Sequence, residues 1–372
     1  MKYRLGELIE SVSKTYDLKN KKSVTFVNTG DVFDGSISGN ETKIKDLPGQ
    51  AKKSIELNDI LFSEIRPKNK RFALVTGIDP KNYVVSTKLM VLRNKNNLVL
   101  DTNYLYFYLT SPLMLAYFQS EAESRSGTFP QITFRENVAN IKIDLPPLIE
   151  QRKIVQRLSV VNDKVKLNNQ INDNLMKLNT LLFQQLSVDS DYTLSNFTDC
   201  QNGFAFKSSE YITNNELLIL RTLNMTSDHL FSKNGVKYIS KVYKEKYQKF
   251  EFKKFDTTLV MVGASIGKMA LITTNVIPSL QNQNMWRFRS KSKMPGLLIY
   301  DMVQYVNDRV RSSATGSARS FYRKKMFLNS KVPVISEKYY DIFLAIQEKI
   351  NNIANENETL SNLKNVLLSK YF

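Results

Sequence analysis

The chain has 372 residues, 42% of them hydrophobic, which is enough for more than one ordinary core, so two domains are expected. Its formal net charge of +18 comes from Lys and Arg spread through the sequence, not from a basic tail, and points to an extended folded surface that attracts a polyanion; the alternative is a lysine excess left by an AT-rich genome. A single cysteine, Cys200, and a single histidine, His229, exclude an internal disulfide, a cysteine metal cluster and most zinc or triad chemistry, and fit a reducing compartment.

The N-terminus, MKYRLGELIE, has no apolar core behind its basic residues and is not a secretory signal. Short β-rich runs follow at Ser23 to Val27, Ile60 to Ile65, Phe72 to Val75 and Leu89 to Leu92. The longest uncharged stretch, Tyr104 to Phe118, is broken by Ser111-Pro112 and is too short to span a bilayer, so a cytoplasmic protein without a membrane partner is expected. After Leu145-Pro146-Pro147, where proline suits a helix start, apolar residues at Ile154, Leu158, Val161, Val165, Ile171, Leu175, Leu178 and Leu182 step by three and four, a heptad stripe. Strands resume at Thr258 to Val262, Lys268 to Ile272 and Met285 to Phe288. A second stripe closes the chain at Phe343, Ile346, Ile350, Ile353, Leu360, Leu363 and Leu367. A helix of nearly forty residues would be roughly 55 Å long, and one apolar stripe on it calls for a partner.

The two halves are one plan used twice. Tyr3 and Tyr192 stand 189 apart, as do Gly127 and Gly316, Asn140 and Asn329, and Phe183 and Phe372. Inside the modules the register drifts, so that Asn58-Asp59-Ile60-Leu61 resembles Phe255-Asp256-Thr257-Thr258 at an offset near 197. The expected fold is α/β (α+β): two mixed α/β globular modules, separated by two long antiparallel helices forming a coiled coil with pseudo-two-fold internal symmetry. Boundaries are set at 1–145, 146–187, 188–334 and 335–372. Asn168 and Asn357, also 189 apart, interrupt the stripes near their middles and are expected to face each other and fix the register of the pair; the competing reading puts both on the solvent edge.

No enzyme motif survives inspection. The only Pro-Pro, Pro146-Pro147, is flanked by leucines, unlike the Asn/Asp-Pro-Pro-Tyr/Phe loop of an amino-methyltransferase. Gly263-Ala264-Ser265-Ile266-Gly267-Lys268-Met269 is one residue short of a phosphate loop and has Met where Ser or Thr would hold magnesium; it reads as a strand, a turn and a strand. Glu251-Phe252-Lys253 imitates the end of a nuclease motif without an upstream Pro-Asp, and no cluster of Asp, Glu and His suggests a metal site.

Leu145-Pro146-Pro147-Leu148-Ile149-Glu150-Gln151-Arg152-Lys153-Ile154-Val155 resembles the signature that opens the central conserved helix of specificity subunits in type I restriction-modification systems. Asn202-Gly203-Phe204-Ala205-Phe206-Lys207-Ser208-Ser209-Glu210-Tyr211 is similar to the opening of a target recognition domain of that family. The second helix entry, Pro333 to Tyr340, departs from the first pattern and lacks its glutamine. The resemblance implies that each module (target recognition domains 1 and 2) reads half of a bipartite site in double-stranded DNA. The helices would act as a ruler on the scale of one to two turns of B-DNA and dock modification (methyltransferase) subunits, two per chain, with restriction subunits (ATP-dependent translocase and nuclease) as further partners. This chain would be non-catalytic and carry no cofactor. S-adenosylmethionine and the flipped adenine would belong to the methyltransferase subunits. Two alternatives remain: the recognition chain of a methylase assembly without a restriction subunit, and a basic coiled-coil scaffold that binds RNA or protein.

On that reading, base contacts come from directed donors in loops that differ between the modules. The candidates in the first module are Arg66, Lys68, Lys70 and Arg71 in a basic turn, Lys88 after it, and Arg125, Thr128 and Gln131 around Gly127. In the second they are Ser265 and Lys268, the amide run Gln281, Asn282, Gln283 and Asn284, and Ser317, Arg319, Arg323 and Lys324. For each, the plain alternative is a solvated side chain or a non-specific phosphate contact.

Overall fold

The structure, a computed structural model, describes residues 2–125, 130–213, 215–313 and 322–372, with the side chains of 125, 312 and 313 left aside. The chain divides into two compact units. One runs up to Asp163 and takes in Ser361–Phe372; the other is Lys164–Leu360.

In the first unit an antiparallel sheet runs in the order Ile9–Ser11, Leu89–Asn94, Ile60–Ser63, Phe72–Leu74. Its two central strands are buried on both faces: Ile60, Phe62, Met90 and Leu92 enter one core, while Leu61, Leu89 and Val91 enter another. That is why they read as unbroken apolar runs and not as alternating ones. Beside it lies a mixed sheet, Asn40–Lys43, Ser23–Val27, Tyr83–Ser86, Ala51–Lys53, in which Ser23–Val27 and Tyr83–Ser86 run parallel.

The second unit repeats this plan. Its antiparallel sheet is Thr198–Asn202, Met285–Ser290, Thr257–Val260, Met269–Leu271. Its mixed sheet again has one parallel pair, Leu217–Leu220 with Ser279–Gln281. The entry strand keeps the 189 register: Arg4 opposite Lys142 becomes Thr193 opposite Lys331, and the Leu5 N–H to Ile141 carbonyl bond of 2.9 Å becomes Leu194 to Ser330 at 3.0 Å.

A buried ion pair is repeated as well. Asp59 accepts from Nε and Nη2 of Arg93 at 2.8 Å each and from the Glu56 N–H at 2.7 Å. Asp256 accepts from the same two atoms of Arg289 at 2.7 and 2.6 Å and from the Lys253 N–H at 2.7 Å. Both carboxylates are almost fully buried. In each unit the preceding residue, Asn58 or Phe255, has a left-handed φ. The clamp ties the start of one central strand to the end of its neighbour through a bidentate, charge-assisted contact.

The long helices are Leu148–Leu186 and Tyr340–Tyr371. Gln151 explains the motif that opens the first. Its buried amide accepts from the Asp101 N–H at 2.9 Å and donates to the Val99 and Pro146 carbonyls, both at 2.9 Å, fixing the helix start to its module. The second entry lacks a glutamine at that place, but Gln347 supplies one further along, accepting from the Leu297 N–H at 3.4 Å.

Within each unit the two helices pack as an antiparallel pair. Leu158 shares a core with Leu368, and Arg157 donates to the Tyr371 hydroxyl at 2.7 Å. In the other unit Phe183 shares a core with Phe343, and Asn168 meets Asn357. The buried face differs from the expected stripe past the middle of the first helix. Asn168, Asn172, Met176, Asn179 and Phe183 are buried, whereas Leu178 is 45% exposed, and Leu363 on the second helix is likewise 45% exposed. The helix is turned toward Gly296–Ser313, where Asp301 accepts from Asn179 Nδ2 at 2.5 Å and from the Thr180 hydroxyl at 3.1 Å. A partner carrying a buried carboxyl selects asparagine and threonine over leucine.

Candidate nucleic-acid interface

The three candidate regions of each module, distant in sequence, meet at one junction. In the first unit the hairpin between Ile60–Ser63 and Phe72–Leu74 begins at Glu64, whose N–H donates to the Lys88 carbonyl at 3.2 Å and whose carbonyl accepts from Ile132 at 2.8 Å. In the second, the Met261 N–H donates to the Asn284 carbonyl at 3.0 Å, and its carbonyl accepts from Tyr322 at 3.2 Å. The same backbone joint therefore holds hairpin, amide turn and third loop together in both.

The hairpin loops 64–71 and 261–268 are equal in length and alike in conformation. Arg66 and Lys70 have φ of 47° and 53°; Gly263 and Gly267, at the equivalent places, have φ of 89° and 85°. Left-handed backbone suits glycine and costs an ordinary residue about 1–2 kcal/mol. The first unit thus keeps two cations where the backbone favours glycine.

Among the described candidates, some side chains are free to reach a ligand. Arg66, Lys68, Lys88, Gln131, Ser265, Gln283, Asn284 and Arg323 are exposed. Lys68 lies 3.4 Å from Glu123, and the half-exposed Lys70 lies 3.6 Å from Asp34, pairs open enough to solvent to be exchanged for phosphate.

Others have donors engaged within their own unit, and one, the fully buried Gln281, is withdrawn from the candidates. Arg71 donates through Nη1 to the Gly30 and Val32 carbonyls at 2.7 and 3.3 Å and lies over the Phe33 ring. Lys268 donates to the Met225 carbonyl at 2.8 Å, and burial lowers its pKa. Lys324 donates to the Cys200 carbonyl at 2.6 Å and to Asn202 Oδ1 at 3.2 Å. Gln281 is fully buried and donates to the Gln201 and Met285 carbonyls at 3.0 and 2.8 Å. Asn282 is half-buried and donates weakly to the Phe204 carbonyl. In each case a long or amide side chain folds back onto main-chain carbonyls of its own unit. Thr128, Ser317, Arg319 and the side chain of Arg125 lie outside the described residues.

Gly203 in the Asn-Gly-Phe motif also has a structural task. A Cβ there would fall 1.9 Å from the Asn282 carbonyl oxygen, so only glycine lets this segment cross the amide turn. Cys200 packs against the unit's core, where burial raises its thiol pKa to about 12. His229, in the left-handed region, pairs its Nδ1 with the Tyr300 hydroxyl at 3.0 Å. Among the described residues no group of three or more His, Cys, Asp or Glu could hold a metal ion, and no helix is long and apolar enough to cross a membrane.

Residues 1–177 match the family described as the type I restriction modification DNA specificity domain. The chain is 41% identical over 209 residues to the type I restriction enzyme HindI specificity subunit of Haemophilus influenzae, a match over 56% of this chain and 45% of that protein. It is 24% identical over 301 residues to the MjaVIII specificity subunit of Methanocaldococcus jannaschii, covering 74% of this chain and 68% of that one. The matched region is thus about half the length of the first relative and two thirds of the second. Solved structures that resemble it include the HsdS subunit from Thermoanaerobacter tengcongensis (19% identity, TM-score 0.43) and the type I S subunit from M. genitalium (16% identity, TM-score 0.48), each alignment covering 100% of this chain and 96% of the other. Residues 1–177 thus match the family model of the type I restriction modification DNA specificity domain, and the chain is similar to type I specificity subunits.

Proposed function

We propose that the chain is the non-catalytic DNA specificity subunit of a type I restriction-modification complex, and that its two units read the two halves of a bipartite duplex target. The observation that carries this reading is the repeated junction: one backbone frame presents Arg66, Lys68, Lys70, Lys88 and Gln131 in the first unit but Ser265, Gln283, Asn284 and Arg323 in the second. Two copies of one scaffold with different exposed donors suit two different half-sites, since donor identity and not the frame selects the base. The long helices would set the spacing between half-sites. The boundaries 1–145, 146–187, 188–334 and 335–372 then separate reading modules from spacers.

The same helices offer a surface to protein partners. Val160 and Val366 in the first unit, and Leu167 and Leu181 in the second, are exposed apolar residues on helix faces turned from the core. They suit docking of one methyltransferase subunit per unit, with restriction subunits joining that assembly. S-adenosylmethionine and the flipped adenine would be bound there, which places the work in the cytoplasm with the DNA. Co-expression with the cognate methyltransferase subunit, followed by sequencing of methylated adenines, tests the reading. A bipartite motif with a fixed spacer is expected; a contiguous motif, or methylation without sequence preference, would overturn it.

A further inference from the structure

The two units carry opposite charge arrangements where the hairpin meets its supporting helix. In the first, Gln119 Oε1 accepts from the Lys68 N–H at 3.1 Å, and one turn later Glu123 lies 3.4 Å from the Lys68 ammonium. In the second, the supporting helix reaches the loop through Asn307, which donates to the Gly267 carbonyl at 3.1 Å. The residue one turn later is Arg311, and the residue in the place of Lys68 is Ser265. The first unit thus pairs a cation on the loop with an anion on the helix; the second has Ser265 in the place of the loop cation Lys68 and a cation, Arg311, on the helix.

Arg311 is held against that loop. A Cβ on Gly267 would lie 2.9 Å from Arg311 Cδ and 3.2 Å from Nη1, so the glycine that replaces Lys70 makes room for this side chain. Arg311 lines a cleft of about 410 Å³ of mixed polar and apolar character, with Ser265, Lys268, Gln304 and Asp308 beside Ile266 and Tyr300. Lys268 is committed to the Met225 carbonyl. No hydrogen bond or ion pair joins Arg311 to another described residue; its electrostatic neighbours include Asp308 on the same helix and Tyr322, groups whose pKa burial raises and Arg311 lowers. At the loop tip nothing lies within 4 Å of a Cβ placed on Gly263, so a strand can approach the backbone closely.

We infer that Arg311 is a DNA phosphate contact of the second unit, taking there the part that Lys68 and its loop neighbours take in the first. Its guanidinium sits at the root of the loop and not at the tip, which suits the outer edge of a strand more than a base. The inference rests on the DNA-reading function proposed above. The test is a salt titration of the full chain binding a fluorescently labelled duplex of arbitrary sequence. Loss of one phosphate contact lowers the slope of log K against log salt by about 0.9. Arg311→Gln should show that loss, with several-fold weaker binding at low salt, and Arg311→Lys should keep the slope. A wild-type slope and affinity in Arg311→Gln, or an equal loss in Arg311→Lys, would overturn the inference. A wild-type chain with no salt-dependent duplex binding would overturn the DNA-reading function itself.

Discussion

Replacing Asp256 by alanine should cost the second unit about 3 kcal/mol. The carboxylate is almost fully buried and receives three hydrogen bonds of 2.6 to 2.7 Å, two of them from Arg289. Breaking a buried ion pair by removing one partner costs roughly 3–5 kcal/mol, because the remaining charge is left without compensation. Arg289 is 26% exposed and keeps its bond to the Glu251 carbonyl at 2.9 Å, which places the effect at the lower end. Asp256→Asn retains the shape and an acceptor, so about half that loss is expected. Asp59→Ala should do the same in the first unit, where Arg93 is the partner. Because each clamp lies within its own unit, native-state hydrogen exchange should report the loss in 257–260 and 285–290 for Asp256→Ala, and in 60–63 and 89–94 for Asp59→Ala. A loss below about 1 kcal/mol, or equal deprotection of both units by either variant, would refute the clamp as the shared foundation of the two frames.

Burial pushes the Asp301 carboxyl up to about 8, against a partial opposing effect of the Thr180 and Asn179 bonds. The folded unit then holds a proton that the unfolded chain releases near pH 4. This contribution is fully present below that pH and is lost as pH rises toward 8, at up to about 1.4 kcal/mol per pH unit. Denaturant titrations from pH 5 to 8 should show stability falling with pH, and Asp301→Asn should flatten the trend; an unchanged slope in the variant would refute the assignment. Arg66→Gly relieves a left-handed residue and should stabilise the first unit by about 0.5–1 kcal/mol after allowing for glycine's own entropy, while weakening DNA binding. Stability unchanged or lower, with binding intact, would contradict both halves of that statement. Asn168 donates to Asn357 Oδ1 at 2.9 Å and to Glu356 Oε2 at 2.8 Å, so the double variant Asn168→Leu, Asn357→Leu should melt higher yet lose a single helix register. Spin labels on the two helix segments of that unit check this, and one sharp distance would count against the role given to the pair.

Features set by backbone spacing were legible in the sequence; features set by tertiary partners were not. The 189 register, the central strands of the antiparallel sheets and the antiparallel helices follow from apolar pattern and length, whereas Tyr83–Ser86, Leu217–Leu220 and Ser279–Gln281 of the mixed sheets are missed by it. The buried face of the first long helix does not follow from it, because Asn179 is buried where a heptad reading prefers leucine, and the reason, Asp301, lies more than a hundred residues away. The same limit divides the candidate site. Arg66 and Arg71 look alike in a basic turn, yet one is exposed and the other is spent on the Gly30 and Val32 carbonyls. Four amides in a row suggested four readers, but Gln281 is the last residue of the strand Ser279–Gln281 and is buried, whereas Gln283 lies in the turn beyond it and is exposed. Arg311 carried no motif. Its signal was positional: counted from Gln119 and Asn307, a glutamate in one module stands where the other has an arginine.

The repeated frame also accounts for where variation is tolerated. A hairpin loop whose ends are pinned by the joint of Glu64 or Met261, and whose strands are held by a buried clamp, keeps its left-handed turns whether they are filled by Arg66 and Lys70 or by Gly263 and Gly267. The strain of the first arrangement, about 1–2 kcal/mol at each position, is of the same order as the roughly 3 kcal/mol lost when a clamp is broken, and the pinned ends and the clamp hold the loop against it. The scaffold can therefore carry unfavourable residues at the loop without losing its geometry. Residues kept there against backbone preference are best explained by what they touch outside the chain.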